Sequence, residues 1–222
     1  MDIKSKIQLI RQTPIENMDE QFIMDLGLND EFLNEQPSEL KEYFGKGLKI
    51  WQYPNQISPF IRDLNGISCK SYLEIGARHG GTFILMTELL AKTNPNIITY
   101  ACDIIPMSDS LKEYRKYRNF IYLQMSSTSS EFKCFCENNY IDFAFIDGDH
   151  SYDVVFQDYK MFKNKLETKH IVLHDIKSSS CQYTGEVWNI VKYEPGHIWR
   201  EYTLQYESVG KNFLGIGYLQ KY

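Results

Sequence analysis

From residue 71 to the end, short runs rich in β-branched and aromatic residues alternate with stretches of helical periodicity. That alternation restricts the chain to βαβ units around a mostly parallel sheet. Strands are expected over residues 71–77, 97–104, 120–125, 141–147 and 171–173, with helices over 80–92, 108–118, 130–137 and 186–191 between and after them. The run 141–147 is almost continuously apolar until its polar end, as a central parallel strand covered on both faces must be. After it, Tyr152, Val155, Phe156, Tyr159, Phe162 and Leu166 recur at three- and four-residue steps, which places them on one stripe of a helix against the sheet. Two last β-rich runs, 198–206 and 213–219, flank Gly210 and predict an antiparallel hairpin.

Residues 1–66 carry no such alternation. The spacing of Ile3, Ile7 and Ile10, and of Phe22, Ile23 and Leu26, predicts short amphipathic helices that cap a domain spanning 67–222. The stretch Trp51-Gln52-Tyr53-Pro54-Asn55-Gln56 is aromatic, polar and broken by proline, and is placed near the mouth of the ligand site, or else packed under a loop. Among 222 residues no apolar run reaches the roughly 18 residues needed to cross a bilayer. The opening Met1-Asp2-Ile3-Lys4-Ser5-Lys6 lacks a secretory pattern, so a cytoplasmic location is expected. A net charge of −5 argues against nucleic acid as a partner, because nonspecific binding needs a basic face. The five cysteines are odd in number, and Cys134-Phe135-Cys136 is too tightly spaced for a zinc or redox pattern, so all are read as reduced.

In an open α/β sheet, ligands bind beyond the carboxyl ends of the strands. Three such ends here are polar. In the first, Gly76, Gly80 and Gly81 remove side chains where backbone can approach a ligand, and Glu74 sits within an apolar strand, a costly place for an unpartnered carboxylate. Asp103 ends the second strand, 22 positions after Gly81, where an acid can accept the hydroxyl hydrogens of an adenosine ribose. Asp147-Gly148-Asp149-His150 ends the fourth strand and His174-Asp175 the fifth. Carboxylates on neighbouring strand ends can hold a hard divalent cation such as Mg2+, and His150 can take a proton near neutral pH. The competing reading makes Asp147, Asp149 and Asp175 caps of turns or helices.

Taken together, 73–76 with Gly80-Gly81, 142–152 and 171–175 resemble the class I methyltransferase group called methyltransferase-24, whose relatives include macrolide-sugar O-methyltransferases and cephalosporin-hydroxylase-like proteins. The resemblance runs from 71 to 219 and implies a Rossmann-like sheet, mostly parallel with a C-terminal antiparallel hairpin. It implies S-adenosylmethionine held by Glu74, Gly76, Gly80, Gly81, Asp103 and Ser127, the last standing in Met125-Ser126-Ser127 where the family has Gly-Asp-Ser. It also implies a magnesium site at Asp147, His174 and Asp175, with His150 as base and Asp147 beside it. His174 departs from the glutamate of the sugar-modifying relatives, so one oxygen ligand becomes nitrogen.

The expected activity is therefore transfer of a sulfonium methyl group to an oxygen of a small hydroxylated acceptor such as a sugar or glycoconjugate precursor, with a divalent cation as optional aid. A homo-oligomer is compatible with the sequence, and no membrane partner is expected. Two alternatives stay open. One is a nucleotide-dependent oxidoreductase, whose Gly-x-Gly-x-x-Gly spacing is missed here; the other is a noncatalytic scaffold that keeps the pocket.

Overall fold

The computed structural model describes residues 3–222. Seven strands form a single sheet in the order β3-β2-β1-β4-β5-β7-β6. β1 (Ser71–Ile75), β2 (Ile98–Asp103), β3 (Ile121–Gln124), β4 (Phe143–Ile146) and β5 (His170–His174) are parallel, while β6 (His197–Tyr202) and β7 (Ile216–Lys221) complete the sheet in antiparallel register. The expected mostly parallel Rossmann-like sheet with an antiparallel end is therefore what the chain adopts.

Alternate residues of each strand feed two cores, as a pleated strand covered on both faces requires. Tyr72, Phe143, Phe145 and Val172 point to one core, and Leu73, Ala144, Ile146 and Leu173 to the other. The first core is closed by α1 (Ile3–Gln12), α2 (Glu20–Leu26), α3 (Pro54–Asp63), α4 (Gly81–Leu90) and α5 (Asp109–Tyr114). α6 (Ser130–Asn138), α7 (Tyr152–Lys163) and α8 (Gln182–Val191) close the second. Helices α1 and α2 bury the predicted Ile3, Ile7, Ile10, Phe22, Ile23 and Leu26, and Asp19 caps α2 by accepting the amide of Phe22 at 2.9 Å.

Three details differ from expectation. Pro54 does not break the chain but starts α3, because its fixed φ suits the first helical position and its missing N–H is not needed there. Leu166 lies outside α7, which ends at Lys163, and is 88% exposed, so the apolar stripe stops at Phe162. The two last strands are antiparallel neighbours, yet they are joined by a long excursion over 203–215 rather than a tight turn. That excursion folds back over the N-terminal segment: the Leu204 carbonyl accepts from Gln56 Nε2 at 2.9 Å, and Tyr206 and Phe213 pack edge-on to Tyr53.

After β1 the chain runs outward through β2 and β3, then returns to β4 on the other side of β1. The crevice at this reversal, beyond the carboxyl ends of β1 and β4, is where such sheets bind ligands. Among the described residues no helix is long and apolar enough to cross a membrane.

Candidate active site

A cavity of about 540 Å³ opens at that reversal. Every site residue picked out from the sequence lines it: Glu74, Gly76, Gly80, Gly81, Asp103 and Ser127 along one side, Asp147, His150, His174 and Asp175 along the other.

The glycine loop is dictated first by chain packing. At Gly76, with φ +86°, a Cβ would stand 1.8 Å from the carbonyl oxygen of Asp147, so β1 and β4 can exit side by side only without a side chain there. At Gly81 a Cβ would stand 2.4 Å from the Leu48 carbonyl oxygen, so the N-terminal segment itself sits on the start of α4. The Asp103 carboxylate accepts the amides of Arg78 at 2.7 Å and Ile105 at 3.2 Å. A carboxylate offers about four acceptor positions, which leaves two of them free for a ligand. Arg78 has φ +41°, lays its guanidinium over the Trp51 ring at 4.5 Å and pairs with Glu31, which also meets His79 Nε2 at 2.6 Å. The expected aromatic segment is thus at the cavity mouth through Trp51, while Tyr53 is buried beneath.

Glu74 is buried to 2% exposure and accepts the hydroxyl of Tyr72. Burial, with Asp147 and Asp103 adding repulsion, pushes its carboxyl up to about 8, so it carries a proton at neutral pH. Asp158 on α7 is a second buried acid, raised to about 7 chiefly by burial and lying beside Ser127.

On the other side, His150 Nε2 lies 3.0 Å from Asp175 Oδ2 and 3.6 Å from Asp147 Oδ1, and His174 Nδ1 lies 3.0 Å from Asp147 Oδ1. Burial opposes charge on both rings, but the carboxylates outweigh it and raise His150 to about 12 and His174 to about 10. Asp175 is held well below the usual carboxylate range, because the two imidazoles outweigh its burial. These separations are those of ion pairs, yet His150 Nε2, His174 Nδ1 and Asp175 Oδ1 have no partner in hydrogen-bonding alignment. The competing reading as caps holds only for Asp149, which accepts the Ser151 amide at 2.7 Å before α7. Asp147 and Asp175 face the cavity.

Sequence reasoning missed three residues here. Gln52 Oε1 lies 2.9 Å from His174 Nε2, Cys181 Sγ lies 3.5 Å from Asp175 Oδ2, and Phe213 reaches the cavity from the 203–215 excursion. Of these, Gln52 stood within the segment expected near the mouth, whereas nothing in the sequence singled out the other two. All five cysteines are free, as expected. His170 packs against Tyr218 and His197 against Lys163, whereas His79 lines the cavity.

The sheet order, the glycine turn after β1 and the acid closing β2 give the chain the fold of solved methyltransferases. Residues 73–176 match the family model described as a methyltransferase domain, which bears out the resemblance to the methyltransferase-24 group. Among solved structures, the O-methyltransferase from Bacillus cereus in complex with S-adenosylhomocysteine is 16% identical with a TM-score of 0.53, covering 94% of this chain and 100% of that one. The S-adenosylhomocysteine-bound methyltransferase PaMTH1 of Podospora anserina is 14% identical with a TM-score of 0.56, over 78% of this chain and 80% of that one. The CurJ carbon methyltransferase is 16% identical with a TM-score of 0.54, over 75% of this chain, and this chain spans only 54% of that structure. At these identities the likeness is one of fold. No curated protein matches the sequence.

Proposed function

We propose that the chain transfers the methyl group of S-adenosylmethionine to an oxygen of a small hydroxylated acceptor, a sugar or glycoconjugate precursor being the best fit. The single observation that carries this reading is the opening of two chemically distinct walls into one cavity. Asp103 and the glycine turn line one wall; Asp147, His150, His174 and Asp175 line the other. The first suits a nucleoside: Asp103 keeps free acceptor positions for ribose hydroxyls, Ser127 is the polar side chain offered to the adenine, and the glycine turn keeps side chains out of the way of the methionine end. Neutral Glu74 adds a donor without adding charge beside the sulfonium. Solved structures of the same fold carry S-adenosylhomocysteine, which supports the same cofactor here.

The second wall suits an acceptor hydroxyl. Glu35 and Ser180 line the cavity too and offer it polar contacts. Asp147 orients the hydroxyl, and His150 receives its proton as the oxygen attacks the methyl carbon and the sulfonium leaves as the neutral thioether. Because two carboxylates favour the charged ring, His150 acts as base only when they are neutralised. Asp147, His174 and Asp175 present three donor atoms within 4.8 Å of one another, two of these residues being buried, so they fit a divalent cation. Such a cation, when bound, polarises the acceptor hydroxyl and lowers its pKa.

The test is methyl transfer from labelled S-adenosylmethionine to a panel of nucleotide sugars, free sugars, catechols and carbon acids. Label on a sugar oxygen is the expected result; label on carbon or nitrogen would refute the oxygen assignment.

A further inference from the structure

The donors gathered at Asp175 are not those of a magnesium site. Its Oδ2 lies 3.0 Å from His150 Nε2, 3.5 Å from His174 Nδ1 and 3.5 Å from Cys181 Sγ, so two imidazole nitrogens and a thiol crowd one carboxylate oxygen. Two sets of donor atoms, each within 4.8 Å, overlap at this residue: His150, Asp175 and Cys181, and Asp147, His174 and Asp175. Several of these donors are buried and meet their neighbours only as ion pairs, outside hydrogen-bonding alignment. His174 is 3% exposed and Asp175 7%, yet Nδ1 of the first and Oδ1 of the second lack a hydrogen-bond partner, as does Nε2 of His150. Buried polar atoms out of hydrogen-bonding alignment are unfavourable, and three together call for something that engages them.

Two further features aim the cluster. Gln52 Oε1 faces His174 Nε2, the arrangement in which a ligating imidazole donates its other ring N–H to a carbonyl and turns its free nitrogen to the metal. Asp175 has φ +61°, a left-handed conformation that a non-glycine residue keeps only where its surroundings impose it, and such outliers gather at functional sites. Cys181 directly precedes α8, so the turn into that helix holds its sulfur beside Asp175.

Mg2+ prefers an all-oxygen octahedron and keeps several waters, whereas imidazole and thiolate suit Zn2+ and its neighbours in the first transition row. We infer that this site binds a borderline divalent cation of the Zn2+ type through Asp175, His150 and Cys181, with His174 and Asp147 on its flank, in preference to Mg2+. The inference rests on the proposed methyl-transfer pocket for the cation's place beside the acceptor. Where the cation is bound, His150 is a ligand and no longer the base of the methyl-transfer reading, since a ring nitrogen bound to a cation takes no proton.

The experiment uses the full chain stripped with chelator, then dialysed separately against Zn2+, Mg2+ and Co2+ with elemental analysis. About one Zn2+ per chain is expected, bound at least ~100-fold more tightly than Mg2+. Cys181→Ser and His150→Gln should each weaken Zn2+ binding by about 10–100-fold, the range for altered metal surroundings, with an unchanged circular dichroism spectrum. The Co2+ form should show a thiolate-to-metal charge-transfer band that Cys181→Ser abolishes. Equal affinity for Mg2+, no stoichiometric uptake of Zn2+, or a Co2+ spectrum indifferent to Cys181→Ser would each overturn the inference. S-adenosylhomocysteine binding, measured on the same samples, separates the two proposals: its loss with Zn2+ binding intact removes the methyl-transfer reading, and the reverse removes this one.

Discussion

Gln52 and His174 meet across 122 positions of sequence, with Oε1 of the one 2.9 Å from Nε2 of the other, both side chains buried. The contact ties the N-terminal segment to the end of β5 and fixes which ring nitrogen faces Asp147 and Asp175. Replacing Gln52 by Leu leaves Nε2 buried and unpaired, which should lower stability by about 1–3 kcal/mol. Urea unfolding measures the loss, and Gln52→Glu, which keeps an acceptor, should recover most of it. An unaltered midpoint for Gln52→Leu would show that the contact does not anchor the ring.

Glu74 makes stability depend on pH with a definite sign. Burial pushes its carboxyl up to about 8 in the folded chain, against 4.5 for an ordinary glutamate. Between those values the folded state binds more protons than the unfolded one, so this group's contribution falls as pH rises through the window. Chemical denaturation at pH 5 and pH 8 should show a decline that Glu74→Gln, neutral throughout, reduces. An equal decline in both proteins contradicts the assignment.

Gly81 lies against backbone, with the Leu48 carbonyl oxygen 2.4 Å and the Ile50 amide nitrogen 3.0 Å from where a Cβ would be. Neither neighbour is the flexible end of a side chain. Gly81→Ala should therefore cost about 1–3 kcal/mol as overpacking does. Calorimetry should register roughly 2–4 °C in Tm per kcal/mol for a chain of this size. An unshifted Tm would mean that the 48–50 segment moves away freely.

On the acceptor wall, Asp147→Asn and His150→Gln should each reduce methyl transfer by about 100-fold or more, the usual scale for removing a positioned acid–base group. Both should leave S-adenosylhomocysteine binding unchanged, since neither residue is assigned to the cofactor. Full activity in either variant on an identified acceptor would remove that residue from the chemistry.

Much of this was legible because strand ends announce themselves. Asp103, Asp147 and His174 each follow an apolar run, and a parallel sheet brings such ends to one edge whatever the loops do. What the strands could not convey was the reach of distant segments. Gln52 and Phe213 arrive from the N-terminal segment and the 203–215 excursion, whose course depends on packing with Tyr53 rather than on local periodicity. Pro54 read as a break because proline signals both a break and a helix start, and only the burial of Ile57, Phe60 and Ile61 distinguishes the two. Cys181 carried no motif; its relation to Asp175 comes from the turn into α8. The glycines were legible as a turn, but Gly76 and Gly81 are required by neighbouring backbone before any ligand.

The central claim is that the wall holding Asp103 and the glycine turn binds S-adenosylmethionine. Isothermal titration of the full chain with S-adenosylhomocysteine and, separately, with NAD(H) tests it most directly. One molecule of S-adenosylhomocysteine per chain should bind, Asp103→Ala should weaken it by about 10–100-fold, equivalent to about 1.4–2.8 kcal/mol, and NAD(H) should give no heat of binding. Saturable binding of NAD(H) with none of S-adenosylhomocysteine would contradict the account.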